Sequence, residues 1–141
     1  MEPEDLRSRA QQIWEAFNAH DFSGFDEEIS PEFVNHNAAP GTPSGPEGQR
    51  QVQERLYAAF PDMRFEIEDV FTSENRVAVL GWMNGTQEGQ FGPFPPKGQA
   101  FRARQIHTFR FDEAGLLIEH LAVRDDVAML QQLGHMPGPP Q

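Results

Sequence analysis

The sequence contains no cysteine, a single lysine and no long apolar run. Without cysteine, the chain cannot form disulfides, thiolate metal sites or a cysteine nucleophile. Its 22 acidic residues outnumber the 11 basic ones, and the net charge of −11 argues against nucleic acid or an anionic membrane as a partner. No stretch approaches the roughly 20 apolar residues of a membrane span, and Met1–Asp5 lacks the features of a signal peptide. We therefore expect a cytoplasmic protein.

The chain has the length of one domain. Its 141 residues suffice for a hydrophobic core, and neither an internal repeat nor a linker divides them. We expect a single domain over residues 1–134. Residues 135–141 contain three prolines and no apolar anchor beyond Met136, which predicts a disordered tail.

Helical patterns dominate the first part of the chain. Apolar residues three or four apart predict a helix over residues 3–20. Pro46 opens a second clear pattern, because proline is well tolerated at the first position of a helix. Shorter helical runs cover residues 22–29 and 127–133.

The period of the apolar residues changes to two after Met63, which indicates strands. Strand patterns cover residues 63–71, 76–86, 100–111 and 116–126, with a short earlier strand at 33–37. Because the strands are segregated from the helices, the sequence predicts an α+β fold with helices packed on one face of a curved antiparallel sheet.

Alternation along residues 100–111 assigns each side chain to a face. Gln105 and His107 share a face with buried-type aromatic residues, whereas Arg104 lies on the opposite face. Polar groups on the core side need hydrogen-bond partners. His107 is therefore either a satisfied core histidine or a functional one.

The last strand ends in an acidic pair, Asp125 and Asp126. A carboxylate carried inward by a strand is a candidate acid or base, because desolvation raises its pKa. The alternative is that the pair caps the following helix. We expect Asp125 to point inward, since His120 and Arg124 are easier to leave near solvent, and Asp126 to cap the helix.

Further candidate residues lie on the early strand and in the loop at 90–98. His36 shares a face with Val34, opposite Asn35, and is either a core histidine or a functional one. Trp82, Phe91 and Phe94 would line an apolar pocket or simply belong to the core. The five histidines lack the spacing of known metal sites, so no metal is expected, and no serine lies in a nucleophile motif.

Several short motifs, in this order and spacing, make the chain resemble the SnoaL-like polyketide cyclase family from about residue 6 to 134. The motifs are Phe33-Val-Asn-His36, Gly45-Pro-Glu-Gly48, the run from Phe60 to Asp69, Gly85-Thr86, Gly89-Gln-Phe91, the run from Pro95 to Gly98, His107-Thr-Phe-Arg-Phe111, Ile118-Glu-His120, and the run from Leu130 to Gly134.

The resemblance implies a nuclear transport factor 2-like cone, in which a curved mixed or antiparallel sheet packs against about three N-terminal helices around a deep pocket. It implies an enzyme that closes a ring of an aromatic polyketide ester by intramolecular aldol chemistry, without metal or cofactor, in a homo-oligomer (dimer or tetramer). The expected partner is thus a small hydrophobic or aromatic polyketide-like substrate.

The resemblance also implies site residues. Asp125 falls on the position of the family's acid and base, and His107 is a second catalytic candidate. Leu121 stands where the family commonly has tryptophan, and Arg124 is a further departure. The expected substrate-binding residues are His36, Asn35, Gln105, Trp82, Phe91, Phe94 and Leu121.

Two other functions remain open, because a fold hosts many activities. One is a cofactor-independent hydroxylase, or a hydrolase or isomerase, in which an Asp–Arg–His group acts on the substrate. It would need Arg104 or Arg124 in the pocket, but alternation places both opposite His107. The other is a non-catalytic small-molecule-binding protein, which gains support if His36, His107 and Asp125 do not converge on one cavity.

Overall fold

The computed structural model describes residues 1–138. Four helices and five strands follow one another along this part of the chain. They are α1 (Pro3–Asn18), α2 (Phe25–Glu28), β1 (Ile29–Asn35), α3 (Gly45–Ala59), β2 (Arg64–Ser73), β3 (Arg76–Thr86), β4 (Ala100–Phe111), β5 (Leu117–Arg124) and α4 (Asp126–Gln132).

The five strands form one sheet in the order β1-β5-β4-β3-β2. Strands β2 to β5 pair antiparallel, as expected from their short connections, but β1 pairs parallel with β5. The α+β class is confirmed, and the sheet is mixed rather than purely antiparallel. The parallel pair brings the early strand beside the last one.

The segment at 22–29 differs from the predicted helix. Only Phe25–Glu28 is helical, and Ile29 is already extended, with φ −106° and ψ 128°. Ile29 is 5% exposed and pairs with Leu117. Its burial against the last strand fixes its conformation, so tertiary packing overrides the helical spacing of Phe25 and Ile29.

Helix α1 packs on β2 and β3, and α3 packs on β1. The predicted apolar stripe of α1 is buried, including Leu6, Ala10, Trp14 and Phe17. The two helices therefore contact different strands of the sheet. The space between them is the cavity described below.

A β-bulge changes the side-chain alternation of β5. Arg110 pairs with Glu119 and Phe111 pairs with Leu117, so Ile118 is an extra residue without a partner on β4. Leu117 points inward before the bulge, and the even-numbered residues point inward after it. The predicted faces of β5 are therefore reversed from Glu119 onward.

The chain turns after β5 into the short helix α4. The beginning of the predicted tail is held, since His135 Nε2 lies 2.7 Å from Gln87 Oε1 and its ring stacks on Phe94. Residues 139–141 of that tail lie outside the described residues. No helix among residues 1–138 has both the length and the apolar character needed to cross a membrane.

Candidate active site

A cavity of about 570 Å³ lies between the inner face of the sheet and helices α1 and α3. This volume is typical of small-molecule sites. Most of the wall is apolar, so the cavity suits a ligand with a large apolar surface. The apolar lining residues include Trp14, Phe17, Phe33, Leu56, Met63, Met83, Phe91, Phe109 and Leu117.

Four polar side chains form one hydrogen-bonded group on the sheet wall of the cavity, named here the polar cluster: Asn35, Gln105, His107 and His120. His107 Nε2 lies 2.7 Å from Gln105 Oε1. His107 Nδ1 lies 2.8 Å from His120 Nε2, and His120 Nδ1 lies 2.8 Å from Asn35 Oδ1. Every ring nitrogen of the two histidines therefore has a partner.

Both imidazoles of the polar cluster are held neutral. Burial lowers the pKa of His107 well below its usual value, and electrostatic interactions with His120 and Arg124 lower it further. Burial likewise lowers the pKa of His120 to about 4, assisted by Arg124 and His36. Because a buried charge is costly, both rings stay uncharged at neutral pH.

The polar cluster continues into α3 through a chain of side-chain hydrogen bonds. Asn35 Nδ2 donates to Gln49 Oε1 (3.1 Å), Gln49 Nε2 to Gln53 Oε1 (3.3 Å), and Gln53 Nε2 to the hydroxyl of Tyr57 (3.0 Å). Tyr57 donates to the carbonyl of Phe17 (2.8 Å). Burial raises the pKa of Tyr57 to about 12, which keeps it a donor. The chain connects the sheet wall to both covering helices.

An ion pair lies at the rim of the cavity. Arg124 Nη2 is 3.3 Å from Asp126 Oδ2, and both partly exposed side chains line the cavity. The expectation for Arg124 is wrong, because the bulge in β5 turns it inward. Arg104 lies on the outer face as expected, where it pairs with Glu68 at 2.9 Å.

The places expected for the two aspartates are exchanged in the structure. Asp125 is exposed, and its Oδ1 accepts a hydrogen bond from the Ala128 amide at 3.1 Å, so it is the N-cap of α4. Asp126, expected to be the cap, lies at the cavity instead. The inward placement of Asp125 is wrong, because the bulge shifts the alternation by one residue.

Four of the expected substrate-binding residues, His36, Leu121, Trp82 and Phe94, lie outside the cavity. His36 points away and its Nε2 is 3.3 Å from Glu119 Oε2. Leu121 is 42% exposed on the outer face, for the same reason that Asp125 is. Trp82 lies on the outer face too, where the guanidinium groups of Arg102 and Arg104 stack over its ring at 4.0 and 4.7 Å.

The remaining expected residues divide between cavity and loop. Asn35, Gln105 and His107 line the cavity, as does Phe91. Phe94 does not line it; this ring packs against His135 and its backbone pairs with Phe91. Of His36, His107 and Asp125, only His107 reaches the cavity.

Several lining residues were missed by the sequence reasoning. His120 was expected near solvent, because the sequence does not reveal the bulge at Ile118 that turns it inward. Gln49 and Gln53 could have been found: they are four residues apart in α3, and Gln53, which is 5% exposed, lies next to the apolar stripe that begins at Val52. Within residues 1–138, no three histidine, aspartate or glutamate side chains are arranged to hold a metal ion.

Comparison with known proteins shows a family over nearly the whole chain. Residues 6–133 match the model of the SnoaL-like polyketide cyclase family. No curated protein sequence matches the chain. Similarity to solved structures is extensive.

The crystal structure of IdmH from Streptomyces antibioticus, a proposed polyketide cyclase, is 32% identical, with 95% of this chain and 99% of that chain covered and a TM-score of 0.75. AclR from Streptomyces galilaeus, a proposed hydroxylase, is 25% identical, with 99% of this chain and 87% of that chain covered and a TM-score of 0.82. TsrD from Streptomyces laurentii is 22% identical, with 96% and 99% covered and a TM-score of 0.86, and shows the fold alone. The nuclear transport factor 2-like cone is confirmed.

Proposed function

Because the chain belongs to the SnoaL-like polyketide cyclase family, we propose that it catalyses intramolecular aldol ring closure of an aromatic polyketide ester. One observation carries the proposal: a pair of neutral imidazoles lies on the sheet wall of a mostly apolar cavity. The apolar wall would hold the rings of the substrate, and the imidazole pair would move the proton. The acid and base is thus assigned to His107 and not to Asp125.

His107 Nε2 is the reacting atom in this proposal. Its partner is the side-chain amide of Gln105, which has no other hydrogen bond among residues 1–138. The partners of the other ring nitrogens of His107 and His120 are each held by further hydrogen bonds. A substrate that displaces this amide brings an acidic methylene to Nε2. The nitrogen takes the methylene proton, the resulting enolate carbon attacks the ring-closing carbonyl, and Nε2 returns the same proton to the new alkoxide. No net proton is gained or lost.

The lowered pKa of His107 suits the second half of this cycle. An imidazolium in a buried site gives up its proton readily, so protonation of the alkoxide is fast. The same shift makes the ring a weak base, which restricts the reaction to a methylene flanked by carbonyl groups. His120 and Asn35 hold the His107 ring in one orientation, and confinement of the folded substrate supplies proximity.

The experiment replaces His107 by Asn and supplies a tricyclic polyphenolic β-keto ester with an appended ketone. Ring closure is followed by liquid chromatography and mass spectrometry, since the product has the substrate's mass, or that mass less one water. Loss of the acid–base group should reduce turnover about 10²- to 10⁴-fold while ligand binding persists. The control is His36→Asn, outside the cavity; full turnover by the His107 variant contradicts the assignment.

A second candidate function rests on the rim ion pair. Arg124 and Asp126 at the cavity, near two histidines, form the Asp–Arg–His group that a hydroxylase or hydrolase would need. The product distinguishes the functions, because a hydroxylase adds an oxygen and a hydrolase cleaves the ester. Binding without any product indicates a non-catalytic binding protein.

The outer face of the sheet supports a homo-oligomer, as a dimer or tetramer. Leu121 and Val123 are 42% and 64% exposed on β5, and Val34 on neighbouring β1 is 47% exposed. Val34 pairs with Glu119, which is two residues before Leu121 and four before Val123 on the same face of β5. We propose that a second copy covers this apolar strip, since burial of exposed apolar surface drives association.

A further inference from the structure

The hydrogen bonds of the polar cluster fix where the protons of its histidines lie. The first fixed point is the amide of Asn35. Its Oδ1 accepts from the backbone N–H of Asn37 at 3.0 Å, and its Nδ2 donates to Gln49 at 3.1 Å. Turning this amide over would lose both bonds, so Oδ1 faces His120. His120 Nδ1 must therefore carry a hydrogen.

The remaining protons follow in sequence. A neutral imidazole has one N–H and one lone pair, so His120 Nε2 bears a lone pair. His107 Nδ1, 2.8 Å away, must then be the donor. The neutral His107 consequently has its lone pair on Nε2, which lies 2.7 Å from the side-chain amide of Gln105.

A carbonyl oxygen at that place would set two lone pairs against each other. A half-turn of the Gln105 amide exchanges its oxygen and nitrogen without changing its shape. Neither atom of this amide has another hydrogen-bond partner among residues 1–138, so nothing opposes the turn. Asn35, by contrast, is held by a backbone amide. The proton arrangement therefore decides the orientation of Gln105.

The second atom of the Gln105 amide is accessible. Gln105 lines the cavity. Among residues 1–138, Trp14 Nε1 is the only fully buried side-chain nitrogen or oxygen without a hydrogen-bond partner, so the second atom of the Gln105 amide is not fully buried. The amide atom turned away from His107 thus has access to the cavity. If this atom is the oxygen, a ligand must offer it a donor; if it is the nitrogen, a ligand must offer it an acceptor.

We propose that Gln105 is a specificity-determining residue. Until a substrate methylene takes its place at His107 Nε2, its NH₂ donates to that nitrogen and its carbonyl oxygen faces the cavity, so that it selects a ligand with a hydroxyl group there. In an aromatic polyketide this group is a phenol. The inference rests on the proposed function only in treating the cavity as the substrate site. A ligand whose sole polar group at this position is an ether or carbonyl lacks the matching donor.

The first test needs no ligand. Nitrogen-15 NMR of histidine-labelled protein at pH 7 reports which ring nitrogen carries the proton. The expected result is the Nδ1–H form for both His107 and His120, with the signals assigned from His107→Gln and His120→Gln variants. A proton on Nε2 of His107, alone or together with one on Nδ1, would overturn the assignment of the Gln105 amide.

The second test compares 2-naphthol with its methyl ether by titration calorimetry. One net hydrogen bond should make the wild type prefer the naphthol about 2- to 10-fold. Gln105→Met should abolish the preference and leave binding of the ether within about twofold, whereas Gln105→Glu, which keeps an acceptor oxygen, should retain it. An unchanged preference in the Met variant overturns the proposal. If neither probe binds, the proposed function loses its site, while the NMR result still decides the proton arrangement.

Discussion

Lowering the pH from 7 to 5 should weaken the fold through the two buried histidines of the polar cluster. In the unfolded chain a histidine has a pKa near 6.5 and takes up a proton in this range. In the folded protein burial lowers the pKa of His120 to about 4, and that of His107 is also lowered well below its usual value. The unfolded state therefore binds more protons, so the free energy of unfolding falls as the pH falls.

The magnitude for His120 follows from its two pKa values. Between pH 7 and pH 5 the unfolded ring becomes almost fully protonated, while the folded ring, with a pKa of about 4, stays mostly neutral. Linkage converts this difference into a loss of about 2 kcal/mol of stability. His107 acts in the same direction. Carboxylates with lowered pKa values, such as Glu119 and Asp62, lose their contribution only at lower pH.

The assay is urea unfolding of the wild type and of His120→Gln at pH 7 and at pH 5. The variant removes one of the two rings, so its loss of stability between the two pH values should be smaller by about 2 kcal/mol. The control, Gln11→Ala, changes an exposed side chain of α1 that does not titrate and should keep the wild-type dependence. Equal pH dependence in the wild type and the His120 variant would refute the reasoning.

Two further predictions concern the acidic pair and the outer face. Asp125→Ala removes the cap contact to Ala128 and should lower the unfolding free energy by about 1 kcal/mol with little change in naphthol affinity. Asp126→Ala should instead change the naphthol affinity and leave the unfolding free energy nearly the same. Urea unfolding measures the first quantity and titration calorimetry the second. Val123→Glu should convert a homo-oligomer to monomers of 16.0 kDa in light scattering, whereas Glu113→Gln, in an exposed hairpin turn, should not; a monomeric wild type contradicts the oligomer proposal.

The regular strand β4 could be assigned from the sequence in full. Its alternation is uninterrupted over Ala100–Phe111, and both Gln105 and His107 face the cavity as expected. This succeeded because a strand without a bulge keeps a strict period of two, and aromatic residues mark the buried face. The apolar stripe of α1 was predicted correctly for the same reason, because an uninterrupted helix keeps the helical period.

Strand β5 could not be assigned in this way. The extra residue Ile118 is defined by the pairing of two neighbouring strands, which the local sequence does not encode. Each assignment after it was reversed, including those of His120, Arg124 and Asp125. A shift of one residue moves every following side chain to the other face of a sheet.

The sequence by itself determined the α+β class, the family and one wall of the site, because these depend on periodicity and on motifs whose order survives without coordinates. The tertiary structure alone decided which histidine His107 contacts, which aspartate reaches the cavity, and which aromatic rings line it. These depend on strand register and on contacts between residues 85 positions apart, such as Asn35 and His120. Hydrogen bonds that close across the sheet have no counterpart in any local pattern of residues.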